Sequence, residues 1–185
     1  MQFIINLKNM EIKESNIAFI DGQNLHLGTK WDGWAIDHKR FRIYLSEKYH
    51  VSEVYYFIGY MSDKEQDLYN NLQKAGFILV FKEHPQSLRG NKKGNVDSDI
   101  IFEIMKRLID GIVFDKAFIV SGDGDYKKLV SYLIVKGKFG KILFPNKRFA
   151  SSLYLSLGGE LFDYLENIKT YIEWRIVLNT NEKGS

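Results

Sequence analysis

Short apolar runs at residues 16–20, 54–58, 77–81, 117–120 and 139–144 are separated by stretches whose apolar residues recur at helical spacing. Runs of four to eight such residues, bounded by Gly, Pro or Asp, are the pattern of strands buried on both faces. Parallel neighbours need a helix-length crossover, so alternation of this kind folds as a parallel sheet with helices on its two faces. The expected fold is therefore α/β, a Rossmann-like three-layer sandwich around a mostly parallel five-stranded sheet. A short helical turn is expected at Asn24, a loop over residues 29–34, and helices over 37–49, 63–75, 96–109 and 126–135. Asp37 suits the N-cap of the first of these helices, and Gly76 ends the second. Residues 148–157 and 160–174 read as mostly helical. Residues 1–15 are expected as an arm or added edge strand, 16–174 as the domain, and 175–185 as a polar tail.

The 185 residues, 45% of them hydrophobic, suffice for one sizeable core. With no cysteine in the chain, thiol catalysis, disulfides and cysteine-rich zinc sites are excluded. The four histidines show no pair with zinc-ligand spacing. A net charge of +3 admits a polyanionic partner without requiring one. No apolar stretch has transmembrane length, so no membrane association and a cytoplasmic location are expected. No Gly-x-Gly-x-x-Gly follows the first apolar run and no phosphate-binding Gly-x-x-x-x-Gly-Lys loop occurs, which disfavours a nucleotide-cofactor enzyme. A phosphoaspartyl phosphatase would want a second acid two residues after Asp21, where Gln23 stands.

The chemistry-bearing residues are aspartates at the ends of two apolar runs. Asp21 closes the first run. The fourth leads into Ser121-Gly-Asp-Gly-Asp125, where Asp123 and Asp125 are separated by one glycine. One aspartate at a strand-to-helix junction is an ordinary N-cap. If the first and fourth strands are neighbours where strand order reverses, these acids share one crevice at the sheet edge. Asp97 opens the helix of residues 96–109 and shares the face of Ile100, Ile101 and Ile104. In the first turn that face emerges from the core, so a carboxylate there points along the top of the sheet. Asp99, about 200° round the wheel, faces solvent or the rim. Several carboxylates in one crevice repel, and a hard divalent ion such as Mg²⁺ or Mn²⁺, which prefers oxygen ligands, removes that penalty.

Phe19-Ile-Asp-Gly-Gln-Asn-Leu25, Val96-Asp-Ser-Asp99 and Ser121-Gly-Asp-Gly-Asp-Tyr126 resemble the three signatures of NYN domains, the LabA-like branch of the PIN-like nucleases. The resemblance runs over residues 17–168. It implies a parallel sheet of order 3-2-1-4-5 and a Mg²⁺- or Mn²⁺-dependent ribonuclease acting on phosphodiester bonds of single-stranded RNA. By position, Asp21, Asp97 and Asp123 match the family's acidic metal ligands, Asp125 the second acid of its last signature, and Asn24 and Ser121 its polar residues near the site. Asn95 departs from the family pattern by interrupting Lys93-Gly94 and Val96. A further acid six residues after Asp97 is Glu103, turned away from Asp97 on the wheel. The alternative function is a catalytically silent module that binds RNA or a protein partner on the same scaffold. A homodimer is compatible with either reading.

Residues 82–95 form a long basic loop leading into Asp97. Its Lys82, Arg89, Lys92 and Lys93 are expected to contact RNA phosphates. Trp31 and Trp34 follow the first acidic motif. They are expected to pack over the sheet edge, with stacking on unpaired bases as the second reading. His26, near the Asn24 turn, is a further candidate for lining the site.

Overall fold

The computed structural model describes residues 15–83 and 95–175. Nearly all of the expected N-terminal arm and of the tail, and the loop residues Arg89, Lys92 and Lys93, lie outside the described residues. The elements run β1 (Asn16–Asp21), α1 (Gly22–Trp31), α2 (His38–Tyr49), β2 (Val51–Ile58), α3 (Gln66–Lys74), β3 (Ile78–Phe81), α4 (Asp97–Ile109), β4 (Ala117–Val120), α5 (Lys127–Val135), β5 (Phe139–Phe144), β6 (Phe162–Tyr164) and α6 (Lys169–Ile172). The strands form one sheet of order β3-β2-β1-β4-β5-β6, and every neighbouring pair is parallel. Among the described residues, no helix is long and apolar enough to cross a membrane.

The sequence pattern explains why β1 is central. All of its residues are buried, and their side chains alternate between the two faces. Ala18 and Ile20 join Leu25, Phe41, Leu45 and Val120 on one side, whereas Ile17 and Phe19 join Ile100, Ile104, Ile119, Val130 and Leu133 on the other. The chain winds outward from β1 to β3, then returns across the sheet to place β4 on the opposite flank of β1. Ile17 to Ile20 pair with Ala117 to Val120, so the chain leaves the sheet at Asp21 and Ser121 side by side. That is the switch point of an open α/β sheet, where the loops diverge and leave a crevice.

Several local expectations are corrected. A sixth strand, β6, lies where a helix was expected. Phe162 and Tyr164 both turn their rings onto Phe144, with centroids 5.6 and 5.4 Å away, and this packing outweighs the helical propensity of the segment. Most of the rest of 160–174 is short helical turns, at Gly159–Leu161, Leu165–Ile168 and α6, and Glu173 bridges Ile36. Residues 148–157 hold two 3₁₀ segments, Lys147–Phe149 and Ser152–Leu157, capped by Asn146 and Ser151. α1 extends into the first half of the expected loop, to Trp31, because Asp21 caps it and two glycines cost only about 1 kcal/mol each within a helix. That extension separates the two tryptophans: Trp34 is buried, and Trp31 projects at the end of α1. β2 begins at Val51, ahead of the expected start. Leu129, Val130 and Leu133 are buried on α5, whereas Ile134 is exposed.

Candidate active site

Each acidic residue is placed by the junction it sits on. At the end of β1, Asp21 caps α1, its Oδ1 accepting the Asn24 N–H at 2.9 Å. Beyond β4, the buried Ser121 accepts the Asp123 N–H on its Oγ at 3.1 Å. Asp123 in turn caps the 3₁₀ turn Gly124–Tyr126, its Oδ1 accepting the Asp125 N–H at 3.0 Å. Asp97 opens α4, its N–H donating to Asn95 Oδ1 at 2.7 Å, and its own Oδ1 accepts the Tyr126 hydroxyl. Capping and clustering are therefore not alternatives. Hydrogen bonds to the protein fix how Asp21, Asp97 and Asp123 are oriented, and all three line one crevice of about 210 Å³ together with Asn24 and Asn95.

Within this group, carboxylate oxygens of Asp97, Asp123 and Asp125 lie within 4.8 Å of one another. Asp21 lines the same crevice but stands outside that trio. The tight set is thus Asp97, Asp123 and Asp125, and Asp21, the fourth expected ligand, lines the crevice beside it. Asp97 is buried, Asp123 half-buried and Asp125 exposed, so the cluster opens toward solvent on the Asp125 side.

Two ties hold the junctions in register. Asn24 Oδ1 accepts the Gly122 N–H at 2.8 Å, joining α1 to the turn after β4. The Gly122 carbonyl accepts the Ser151 N–H at 3.0 Å. A Cβ on Gly122 would stand 2.8 Å from the Phe149 carbonyl oxygen, which is backbone and cannot swing aside. Gly122→Ala is expected to cost about 1–3 kcal/mol, read as a lower urea midpoint at unchanged slope. Wild-type stability in that variant would mean the turn yields freely.

Burial is the main cause of the site's electrostatics. It pushes the Asp21 carboxyl up to about 6, helped by the charges of Asp97 and Asp123 and opposed by the Asn24 and Gln23 backbone N–H groups. Burial, then the neighbouring acids, also raises the Tyr126 hydroxyl well above its ordinary value, so it remains a donor to Asp97. Burial raises Tyr154 likewise, and its hydroxyl donates to the Asp123 carbonyl at 2.5 Å. The donor set consists of carboxylate oxygens, is partly dehydrated and carries unbalanced negative charge. Those properties fit a hard divalent cation.

Lys82, expected as a phosphate contact, donates to the Asn95 carbonyl at 2.6 Å and pairs with Asp99 at 3.0 Å. It braces the entry to α4, and Asp99 sits on the rim. Glu103 pairs with Arg107, away from the cluster. His26 lines a neighbouring groove of about 690 Å³ with His38 and Tyr56, which meets the acidic crevice at Gln23. Three supporting residues had not been singled out. Asn95 appeared only as a departure from the family pattern, although an Asn two residues before a helical Asp is a recognisable Asx turn. Tyr126 closes the last motif and read only as the start of a helix. Tyr154 carries no local signal.

Residues 16–156 match the NYN domain family. The chain is 25% identical over 137 residues to low amplitude and bright protein LabA of Synechococcus elongatus, a likeness covering 69% of this chain and 72% of that one. A crystal structure of a protein of unknown function from Vibrio parahaemolyticus shares the fold, with a TM-score of 0.69 at 21% identity over 89% of this chain and 99% of that one. The family match spans every acidic junction described above and the likeness to LabA supports its LabA-like branch: the chain belongs to the NYN domain family of PIN-like nucleases.

Proposed function

We propose that this chain is a Mg²⁺- or Mn²⁺-dependent ribonuclease that hydrolyses phosphodiester bonds of single-stranded RNA. The observation that carries this reading is the convergence of Asp97, Asp123 and Asp125 within 4.8 Å at the switch point of the sheet, with Asp21 in the same crevice. Asp97, Asp123 and Asp125 would hold the ion, and Asp21 would complete the negative lining. When bound, a divalent ion supplies charge neutralisation at the phosphoryl group and activation of water.

The remaining work falls to the chain. Tyr126 holds Asp97 in one orientation, and the cap bonds of Asp21 and Asp123 do the same for those carboxylates. Asn24 keeps the two junctions at a fixed spacing, and Ser121 shapes the turn that carries Asp123. Such preorganisation matters because a ligand set that must rearrange loses affinity and rate. A crevice of about 210 Å³ suits one backbone phosphate, and an unpaired strand reaches it more readily than a duplex. Phosphate contacts by Lys82 and by Arg89, Lys92 and Lys93 remain part of the proposal, the last three outside the described residues. For Lys82 such a contact requires release of Asp99.

The test is cleavage of a labelled single strand in Mn²⁺, in EDTA and with Asp123→Asn. Turnover is expected in the first condition only. Activity that survives chelation or the substitution would exclude this mechanism, and no cleavage of any RNA would favour a silent binding module on the same scaffold.

A further inference from the structure

A groove of about 670 Å³ runs along the outer face of α1, between that helix and the segment after β5. Asn24 and Leu27 line both this groove and the acidic crevice, so the two are continuous. The far end of the groove is aromatic. Trp31 is 61% exposed and Phe149 49%, and their rings meet edge to face with centroids 5.2 Å apart. Arg148 lies over the Trp31 ring at 6.0 Å, and Lys30 lines the wall. Leu27, 52% exposed, stands between the aromatic end and the crevice. Large apolar side chains exposed together and rimmed by polar residues have the pattern of a binding surface.

The groove is held in shape. Asn146, 2% exposed, donates to the Gly28 carbonyl at 3.0 Å and to Asp32 at 2.8 Å, and its Oδ1 accepts the Arg148 N–H at 2.8 Å. That one side chain ties α1 to the segment carrying Phe149. A Cβ on Gly28 would stand 2.6 Å from Pro145 Cβ, so the two walls are packed as closely as the backbone permits. The aromatic pair therefore keeps a fixed position relative to the acids, as a recognition platform requires.

We infer that Trp31 and Phe149 form a stacking platform for an unpaired nucleobase of the strand whose phosphate enters the acidic crevice. The inference rests on the nucleic-acid reading of that crevice. Three features favour a nucleotide over other apolar ligands: an aromatic face that accepts any base, cations beside it, and continuity with a site suited to a phosphate. The groove's lining residues carry no acid, and the neighbouring Asp32 has one oxygen occupied by Asn146.

The experiment measures binding in the Asp123→Asn background, where cleavage is off. Affinities are compared for a short oligoribonucleotide and for an abasic ribose-phosphate strand of equal length. Trp31→Ala is expected to lower oligoribonucleotide affinity by about tenfold or more and to leave abasic affinity unchanged, with Trp31→Phe keeping most of the binding. Equal losses on both strands, or no loss on either, would overturn the platform, and the second result would leave this face to a protein partner. Cleavage is scored separately with Asp123 intact. Trp31-dependent base binding without Mn²⁺-dependent cleavage would remove the nuclease reading and keep the platform. Cleavage with Trp31-independent binding would do the reverse.

Discussion

Asp97→Asn is expected to lower Mn²⁺-dependent cleavage by about a hundredfold or more, and Tyr126→Phe by about ten- to a hundredfold. The two substitutions separate charge from orientation. Asparagine keeps an oxygen to accept the Tyr126 hydroxyl, so the junction at α4 should survive, but the site loses one negative charge from its tight trio. Tyr126→Phe leaves the charge in place and removes the buried donor that orients it. A carboxylate deprived of such a donor costs about 1–3 kcal/mol, so the metal-free Phe variant should also be less stable. Adding Mn²⁺ should restore part of that loss, because the ion gives the carboxylate a partner again. The checks are single-turnover cleavage, Mn²⁺ titration by calorimetry, and urea unfolding with and without the ion. Wild-type cleavage by Asp97→Asn would remove Asp97 from the ligand set.

The second large effect concerns pH. The folded Asp21 carboxyl is raised from 3.8 to about 6, so the native state holds its proton more tightly than the unfolded chain does. Its contribution to stability is therefore present below pH 3.8 and is lost as the pH rises through about 6. The difference of roughly two pKa units corresponds to about 3 kcal/mol. In EDTA, Asp21→Asn should accordingly exceed wild type by about 3 kcal/mol at pH 8 and match it near pH 3.5. The cap is not lost in this variant, since asparagine caps helices as well as aspartate does. Excess Mn²⁺ at pH 8 should narrow the gap by stabilising the wild type. Urea unfolding of both proteins across pH measures the difference directly. Parallel curves over the whole range would mean that Asp21 carries no such penalty.

Much of this arrangement was legible in the chain because its signals are local. The apolar runs ending at Asp21 and Ser121 identify the two central strands, and counting along the helix wheel puts Asp97 with Ile100 and Ile104. The missed features depend on distant partners. β6 is three residues long and exists because Phe162 and Tyr164 meet Phe144. Tyr154 reaches the Asp123 carbonyl across 31 residues of sequence, which no local period records. The different fates of Trp31 and Trp34 followed from where α1 stops, and helix ends are poorly fixed by propensity alone. Which acids of the crevice stand closest together also depends on packing. Asp125 belongs to it because the turn after Asp123 is 3₁₀, a choice made by the packing of Tyr126 as much as by its glycines.

The cap bonds of Asp21 and Asp123 have a consequence for how such a protein ages in a lineage. An acid that is only a ligand is guarded by its chemistry, and one that is only a cap by its fold. On the proposed reading Asp123 would carry both duties and Asp21 would join its cap to the negative lining of the crevice, and asparagine discharges the cap duty fully. A descendant relieved of selection for cleavage could drift to Asn at both positions with both junctions intact, and at position 21 it would become sturdier. Loss of chemistry in this scaffold would thus leave no scar in the architecture. The amide left in place of a carboxylate would be its only trace.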